Sequence, residues 1–105
     1  QVWLGSNLPE RFQVLRESWM RCMPAWEVRL WSDADVAALG LENQAAFDAA
    51  PNWGEKSDIC RYEILWRLGG FYADVDFICL RSFEALHSEA DFCAGTVDPC
   101  GRDSE

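Results

Sequence analysis

The chain is expected to fold as an α/β domain, and three observations carry that expectation. Apolar residues recur at helical spacing in some segments and at strand spacing in others, and the two kinds interleave as strand, helix, strand, short helices, helix, strand. Half of the 105 residues are apolar, enough for a core, and the length suits a single domain over residues 1–105. Turn formers fall between these segments: Gly5-Ser6-Asn7, Pro24, Gly40, Pro51 to Gly54, and Gly69-Gly70.

Gln1 to Leu4 reads as a short strand. Phe12, Leu15 and Trp19, with Leu8 before them, then share a helical face, bracketed by Asn7 or Pro9 and by Pro24. Trp26 to Trp31 alternates, with Trp26, Val28 and Leu30 on one side and Glu27, Arg29 and Trp31 on the other, as in a half-buried strand. Ser32-Asp33 caps a short helix over 34–39 that Gly40 closes, and a second short helix covers 42–50. Ser57 to Leu68 is the clearest helix, with Ile59, Tyr62, Leu65 and Leu68 on one face and Ser57 as its cap. Phe71 to Leu80 follows as an apolar strand interrupted only by Asp74 and Asp76. A weak helix over 83–87, a last strand over 90–97 and a loop or loose tail over 98–105 complete the chain.

The formal charge of −9, from 18 acidic and 9 basic side chains, has the wrong sign for a protein that tracks phosphates, so nucleic acid is excluded as a partner. The surplus carboxylates suit a pocket where a divalent cation stands between protein acids and a phosphorylated ligand. Six tryptophans fit either a core or surfaces that stack on bases and sugars. The five cysteines (22, 60, 79, 93 and 100) form no C-x-x-C pattern and read as buried thiols in a reducing compartment. In an oxidising one, Cys93 and Cys100 are close enough to pair. No apolar run approaches the ~18 residues of a membrane span, and no signal peptide is visible. Starting at Gln1 with no initiator Met, the chain reads as a fragment or a trimmed form.

Phe71-Tyr72-Ala73-Asp74-Val75-Asp76-Phe77 places two carboxylates two residues apart in an apolar run. In a strand both project to the same side, where an unpaired buried carboxylate is costly and two repel. A divalent cation bridging to a diphosphate would use both acids at once. A strand that simply ends in a turn accounts for the spacing equally well. In the preceding helix, Asp58 and Arg61 form either an exposed i,i+3 ion pair or a ligand-binding pair. In the second case Asp58 accepts from sugar or ribose hydroxyls and Arg61 holds a phosphate or sugar oxygen. His87 reads as a surface residue, Asp33 and Asp35 as caps, Cys60 and Cys79 as core, and Gly69-Gly70 as a helix stop and not a phosphate loop.

The run Ser57-Asp58-Ile59-Cys60-Arg61-Tyr62-Glu63-Ile64-Leu65, followed by Gly69-Gly70-Phe71-Tyr72-Ala73-Asp74-Val75-Asp76, resembles the core signature of glycosyltransferases with a DXD sugar-binding region. That family includes bacterial polysaccharide and capsule transferases, yeast-type initiating α-mannosyltransferases and the glucosylating domains of large bacterial toxins. Val2-Trp3-Leu4-Gly5 resembles its first strand, and Trp26 to Trp31 followed by Asp33 its second. The resemblance runs to about Phe83 and implies the N-terminal part of a GT-A-like, Rossmann-like nucleotide-sugar-binding sandwich, with manganese or magnesium as cofactor. Carried over by position, Asp76 binds the metal directly, Asp74 contacts ribose or sugar and reaches the metal, and Asp58 and Arg61 hold the donor sugar and its diphosphate. Trp3 would stack on the nucleobase unless it is core, and Tyr62 and Tyr72 are packing residues, Tyr72 close enough to touch the ligand.

The implied reaction transfers a sugar from a nucleoside-diphosphate sugar to a glycan or other acceptor, with retention. The cation on Asp74 and Asp76, helped by Arg61, would absorb charge on the departing diphosphate. The family's catalytic domains are longer, so the chain is expected to be a truncated member, placed in a bacterial cytoplasm. Two rival readings remain: a non-catalytic nucleotide-sugar-binding module, and a metal phosphoesterase, for which one histidine is too few ligands. A strand edge left free by truncation would let two copies associate as a homo-oligomer.

Overall fold

The computed structural model describes residues 1–95, so the tail over 98–105, the end of the expected last strand and any Cys93–Cys100 pairing lie outside the described residues. The described residues form five helices: α1 (Glu10–Cys22), α2 (Asp33–Leu39), α3 (Gln44–Ala49), α4 (Trp53–Leu68) and α5 (Glu84–Glu89). Each lies where a helix is expected. The strands do not. Among the described residues they reduce to one parallel bridge between Val2 and Trp31.

Around that bridge, the Gln1 backbone N donates to Arg29 O (3.1 Å), Trp31 N to Gln1 O (2.9 Å) and Trp3 N to Trp31 O (3.0 Å). These two parallel segments, joined through α1, meet at a single bridge and form no strand pair, so the expected α/β sandwich is not seen among the described residues. The expected alternation breaks at its end. Trp31, placed by period two on the outer side with Glu27 and Arg29, is buried against Val2, Leu4, Val36, Leu41, Cys60 and Ile64.

Residues 71–80 are not a strand, because the chain reverses inside them: Phe77 N donates to Asp74 O (3.2 Å), closing a turn over Val75-Asp76. Side chains of α1 take the place of a neighbouring strand. Trp19 Nε1 donates to Phe77 O (3.0 Å), Ser18 Oγ accepts from Cys79 N (2.8 Å), and Cys22 Sγ donates to Cys79 O (3.3 Å). Ser18, Trp19 and Cys22 fall at i, i+1 and i+4 on the inner side of α1, where Trp19, Met23 and Cys79 form a second core cluster. With no regular strand among the described residues, the free edge invoked for self-association is not a feature of them.

Ser18 is the polar pin of this contact and is fully buried. Ser18→Ala leaves the Cys79 N–H without a partner and is expected to cost about 1–3 kcal/mol. Urea unfolding followed by circular dichroism checks this; an unchanged midpoint would show that the hydroxyl holds nothing.

α2 begins in a capping box: Ser32 Oγ accepts from Asp35 N, and the Asp35 carboxylate accepts from Ser32 N. α4 starts four residues before its expected cap. Asn52 Oδ1 accepts from Glu55 N (2.9 Å), so Trp53-Gly54 is the helix's first turn and not a break, and Ser57 lies in the second turn. The inner face of α4 is also displaced. Cys60, Glu63 and Ile64 are buried, whereas Tyr62 and Leu68, expected inside, are 74% and 59% exposed.

Candidate functional site

The turn at 74–77 and the middle of α4 face each other across the first segment of the chain. Between them is a cleft of about 540 Å³, a size typical of small-ligand sites, bordered by Trp3, Ser57, Arg61, Tyr72, Asp74 and Asp76. Of the six residues given a site role by the resemblance, five line it, and the sixth, Asp58, reaches it through Arg61. Asp74 and Asp76 therefore share a cleft for a different reason from the one expected: a turn, not period two, brings them round to it.

Arg61 organises the charged wall. Its Nη2 lies 2.8 Å from Asp58 Oδ1 and 3.3 Å from Asp74 Oδ1, and its guanidinium rests over the Tyr72 ring at 4.4 Å. Its Nε is buried with no hydrogen-bond partner among the described residues. Tyr72 Oη donates to Asp74 Oδ1 (3.0 Å). Burial pushes the Tyr72 phenol up to about 12, so it stays a neutral donor at physiological pH. Three carboxylates against one guanidinium leave the wall net anionic.

Asp76 is exposed and makes no hydrogen bond or ion pair among the described residues. Asp74 commits Oδ1 to Arg61 and Tyr72, which leaves Oδ2 open. Both carboxylates therefore offer an oxygen to a cation in the cleft; no group of three His, Cys, Asp or Glu suited to a metal occurs among the described residues. Hard oxygen donors in that number fit magnesium or manganese, which commonly take one or two carboxylates and fill the remaining positions with water and phosphate. The residues present fit such an ion.

The other end of the cleft is aromatic. Trp3 packs on Phe12 with ring centroids 5.5 Å apart, and its Nε1 donates to Ser6 Oγ (3.2 Å). It is half-buried, so part of its surface faces the cleft. Gly5 sits against Trp53 at φ +86°, and its N–H donates to Asp33 Oδ2 (2.8 Å); Asp33 thus tethers the first segment, and the capping expected of it falls to Ser32 and Asp35. The sequence reading missed Trp53 and Phe12 as cleft residues. The signal for Trp53 was its spacing of four from Ser57 and eight from Arg61, hidden by placing the helix start too late.

A second cavity of about 300 Å³ lies between residues 26–31 and 69–73, walled by Trp19, Trp26, Phe71 and Phe83. Glu27 and Arg29 border it, but Asp58, Arg61, Asp74 and Asp76 do not, so it is separate from the charged wall of the first cleft. His87 is exposed and edge-on to Trp26 at 5.1 Å, a packing role. Cys60 is fully buried and its thiol is pushed up to about 11 by desolvation, which makes it a core residue and not a nucleophile. Burial and the neighbouring Cys22 likewise raise Cys79. No described helix is long and apolar enough to cross a membrane.

Comparison with known proteins gives relatives and a family. The chain is 32% identical over 108 aligned residues to inositol phosphoceramide mannosyltransferase 1 of Schizosaccharomyces pombe, covering 96% of this chain and 34% of that protein. It is 30% identical to mannosyltransferase 3 of the same set and yeast, over 82% of this chain and 25% of the relative. For mannosyltransferase 2 the identity is 29%, over 82% and 26% respectively. The chain thus spans about a third or less of these relatives. No solved structure matches it. The family model for the "glycosyltransferase sugar-binding region containing DXD motif" matches residues 9–93, which take in Asp58, Arg61, Asp74 and Asp76, and the chain belongs to that family.

Proposed function

We propose that the cleft is the donor site of a metal-dependent glycosyltransferase that takes a sugar from a nucleoside diphosphate. The observation that carries this reading is the make-up of the cleft: aromatic side chains at one end, an arginine with an unpartnered buried N–H and two available carboxylates at the other. A nucleoside-diphosphate sugar has the same division between a flat ring and a diphosphate. An anionic wall repels an anionic ligand, and a divalent cation resolves that conflict.

In this reading Asp76 and Asp74 hold manganese or magnesium, which when bound supplies positive charge against the departing diphosphate. Arg61 donates its free N–H to a diphosphate or sugar oxygen, and Asp58 fixes the guanidinium plane through the 2.8 Å contact. Tyr72 keeps the Asp74 carboxylate in place through its hydroxyl. A GT-A-like arrangement and retention at the anomeric carbon remain part of the proposal on family grounds. The relatives' names make mannose the first donor sugar to try and inositol phosphoceramide the first acceptor, in place of the polysaccharide first expected.

The test is release of nucleoside diphosphate from UDP- and GDP-sugars by the folded chain, with manganese and with excess chelator. Metal-dependent release supports the enzyme. Metal-dependent binding without release selects the second reading, a non-catalytic sugar-nucleotide-binding module. That reading is favoured by the chain's length, about a third or less of that of the relatives it matches. Neither binding nor release would contradict both.

A further inference from the structure

We propose that Trp53 is a nucleobase platform in this cleft, a role that rests on the donor-site reading. Trp53, Ser57 and Arg61 follow one another at four-residue intervals along α4, so they lie on one face of the helix, and all three border the cleft. At ~1.5 Å per residue, Trp53 and Arg61 are about 12 Å apart along the axis, with a hydroxyl side chain midway. The order is indole, hydroxyl, guanidinium. A nucleoside diphosphate presents base, ribose and diphosphate in the same order, and Arg61 marks the diphosphate end.

Two further observations point to a ligand on Trp53. Trp53 is 54% exposed and borders the cleft, with the Lys56 ammonium 6.0 Å from its ring centroid, so an area of indole remains open to a ring stacked from the cleft side. The backbone beneath it is glycine: a Cβ on Gly5 would lie 2.7 Å from Trp53 Cε2, and Gly5 has φ +86°. The indole therefore packs directly against the Gly5 backbone, an approach that only glycine allows. Trp3, on the same segment as Gly5, contributes a second aromatic surface to the same end. Stacking on an indole discriminates weakly between bases, since every base has a π face. The platform thus accepts uridine and guanosine diphosphates alike and leaves base choice to hydrogen bonds.

The test is equilibrium dialysis in manganese with three probes, UDP, GDP and inorganic diphosphate, on the folded chain and on Trp53→Ala, Trp53→Phe and Gly5→Ala. Trp53→Ala is expected to weaken both nucleotides by about 5- to 100-fold and to leave inorganic diphosphate unchanged. Trp53→Phe should recover part of the loss. Gly5→Ala, which displaces the indole, should weaken the nucleotides too, but add no further loss once Trp53 is already alanine. Circular dichroism and the thermal midpoint establish that each variant is folded.

Nucleotide affinity untouched by Trp53→Ala, or diphosphate weakened equally, would overturn the platform. Nucleotides that bind no better than diphosphate to the unaltered chain would overturn it while leaving the charged end standing. No manganese-dependent binding of any probe would overturn the donor-site reading together with it.

Discussion

Glu63→Ala is expected to destabilise the fold by about 2–4 kcal/mol, the cost of leaving without an acceptor two backbone N–H groups that a buried carboxylate holds. Glu63 is 7% exposed, and its carboxylate accepts from Glu42 N (2.6 Å) and Asn43 N (3.2 Å), the two backbone groups that lead into α3. One turn further along α4, Arg67 sits 3.6 Å from the same carboxylate and donates to Leu39 O (3.0 Å) at the end of α2. The pair clamps the α2–α3 connection onto α4. Alanine would strand two N–H groups at once, while the partly exposed Arg67 guanidinium keeps its bond to Leu39 O. Glutamine keeps one acceptor but presents an NH₂ to a donor, so Glu63→Gln should fall between the two. With domain stabilities of about 5–15 kcal/mol, the alanine variant would keep little reserve. Urea titrations of the three proteins check this; a loss below about 1 kcal/mol for alanine would put the clamp's value at that of an exposed ion pair.

Glu63 also shows where sequence reasoning stopped. A charged residue between Tyr62 and Ile64 argues for an outward face, and α4 is apolar on more than one side, so periodicity alone chose Ile59, Tyr62, Leu65 and Leu68. The buried face is Cys60, Glu63 and Ile64, because the Glu63 carboxylate has partners that belong to α3, and no pattern inside α4 reveals them. The strand at 71–80 failed for a related reason. Its composition is that of a strand, but the Asp74–Phe77 turn interrupts it, and α1 side chains hold its backbone where a ladder was expected. The five helices were legible because caps and stops are local: Ser32 with Asp35, Pro9 before α1, Gly69 after α4. The membership of the cleft was largely legible through the resemblance, which placed Trp3, Asp58, Arg61, Tyr72, Asp74 and Asp76 by position. What it could not supply was the Gly5–Trp53 contact, a meeting of residues far apart in the chain.

Asp76→Asn is expected to separate binding from stability. The side chain is exposed and has no partner among the described residues, so the neutral isostere should leave stability within about 0.5 kcal/mol. A metal ligand is another matter. Losing the charge of one of two carboxylates should weaken manganese-dependent nucleotide binding by about 3 kcal/mol or more, about 100-fold. Asp74→Asn should behave differently, because Asp74 also pairs with Arg61 and Tyr72; it should lower stability and binding together. A loss confined to binding at 76 and shared at 74 would distinguish a ligand from a residue that both binds and holds the wall together.

The most direct measurement is a calorimetric titration of UDP and GDP into the unaltered chain in manganese, repeated in excess chelator and with Asp76→Asn. Heat of binding that is present in manganese and disappears both with chelator and in the variant is the predicted result. Nucleotide binding that survives chelation, or survives the loss of Asp76, would contradict a metal-dependent donor site at this cleft.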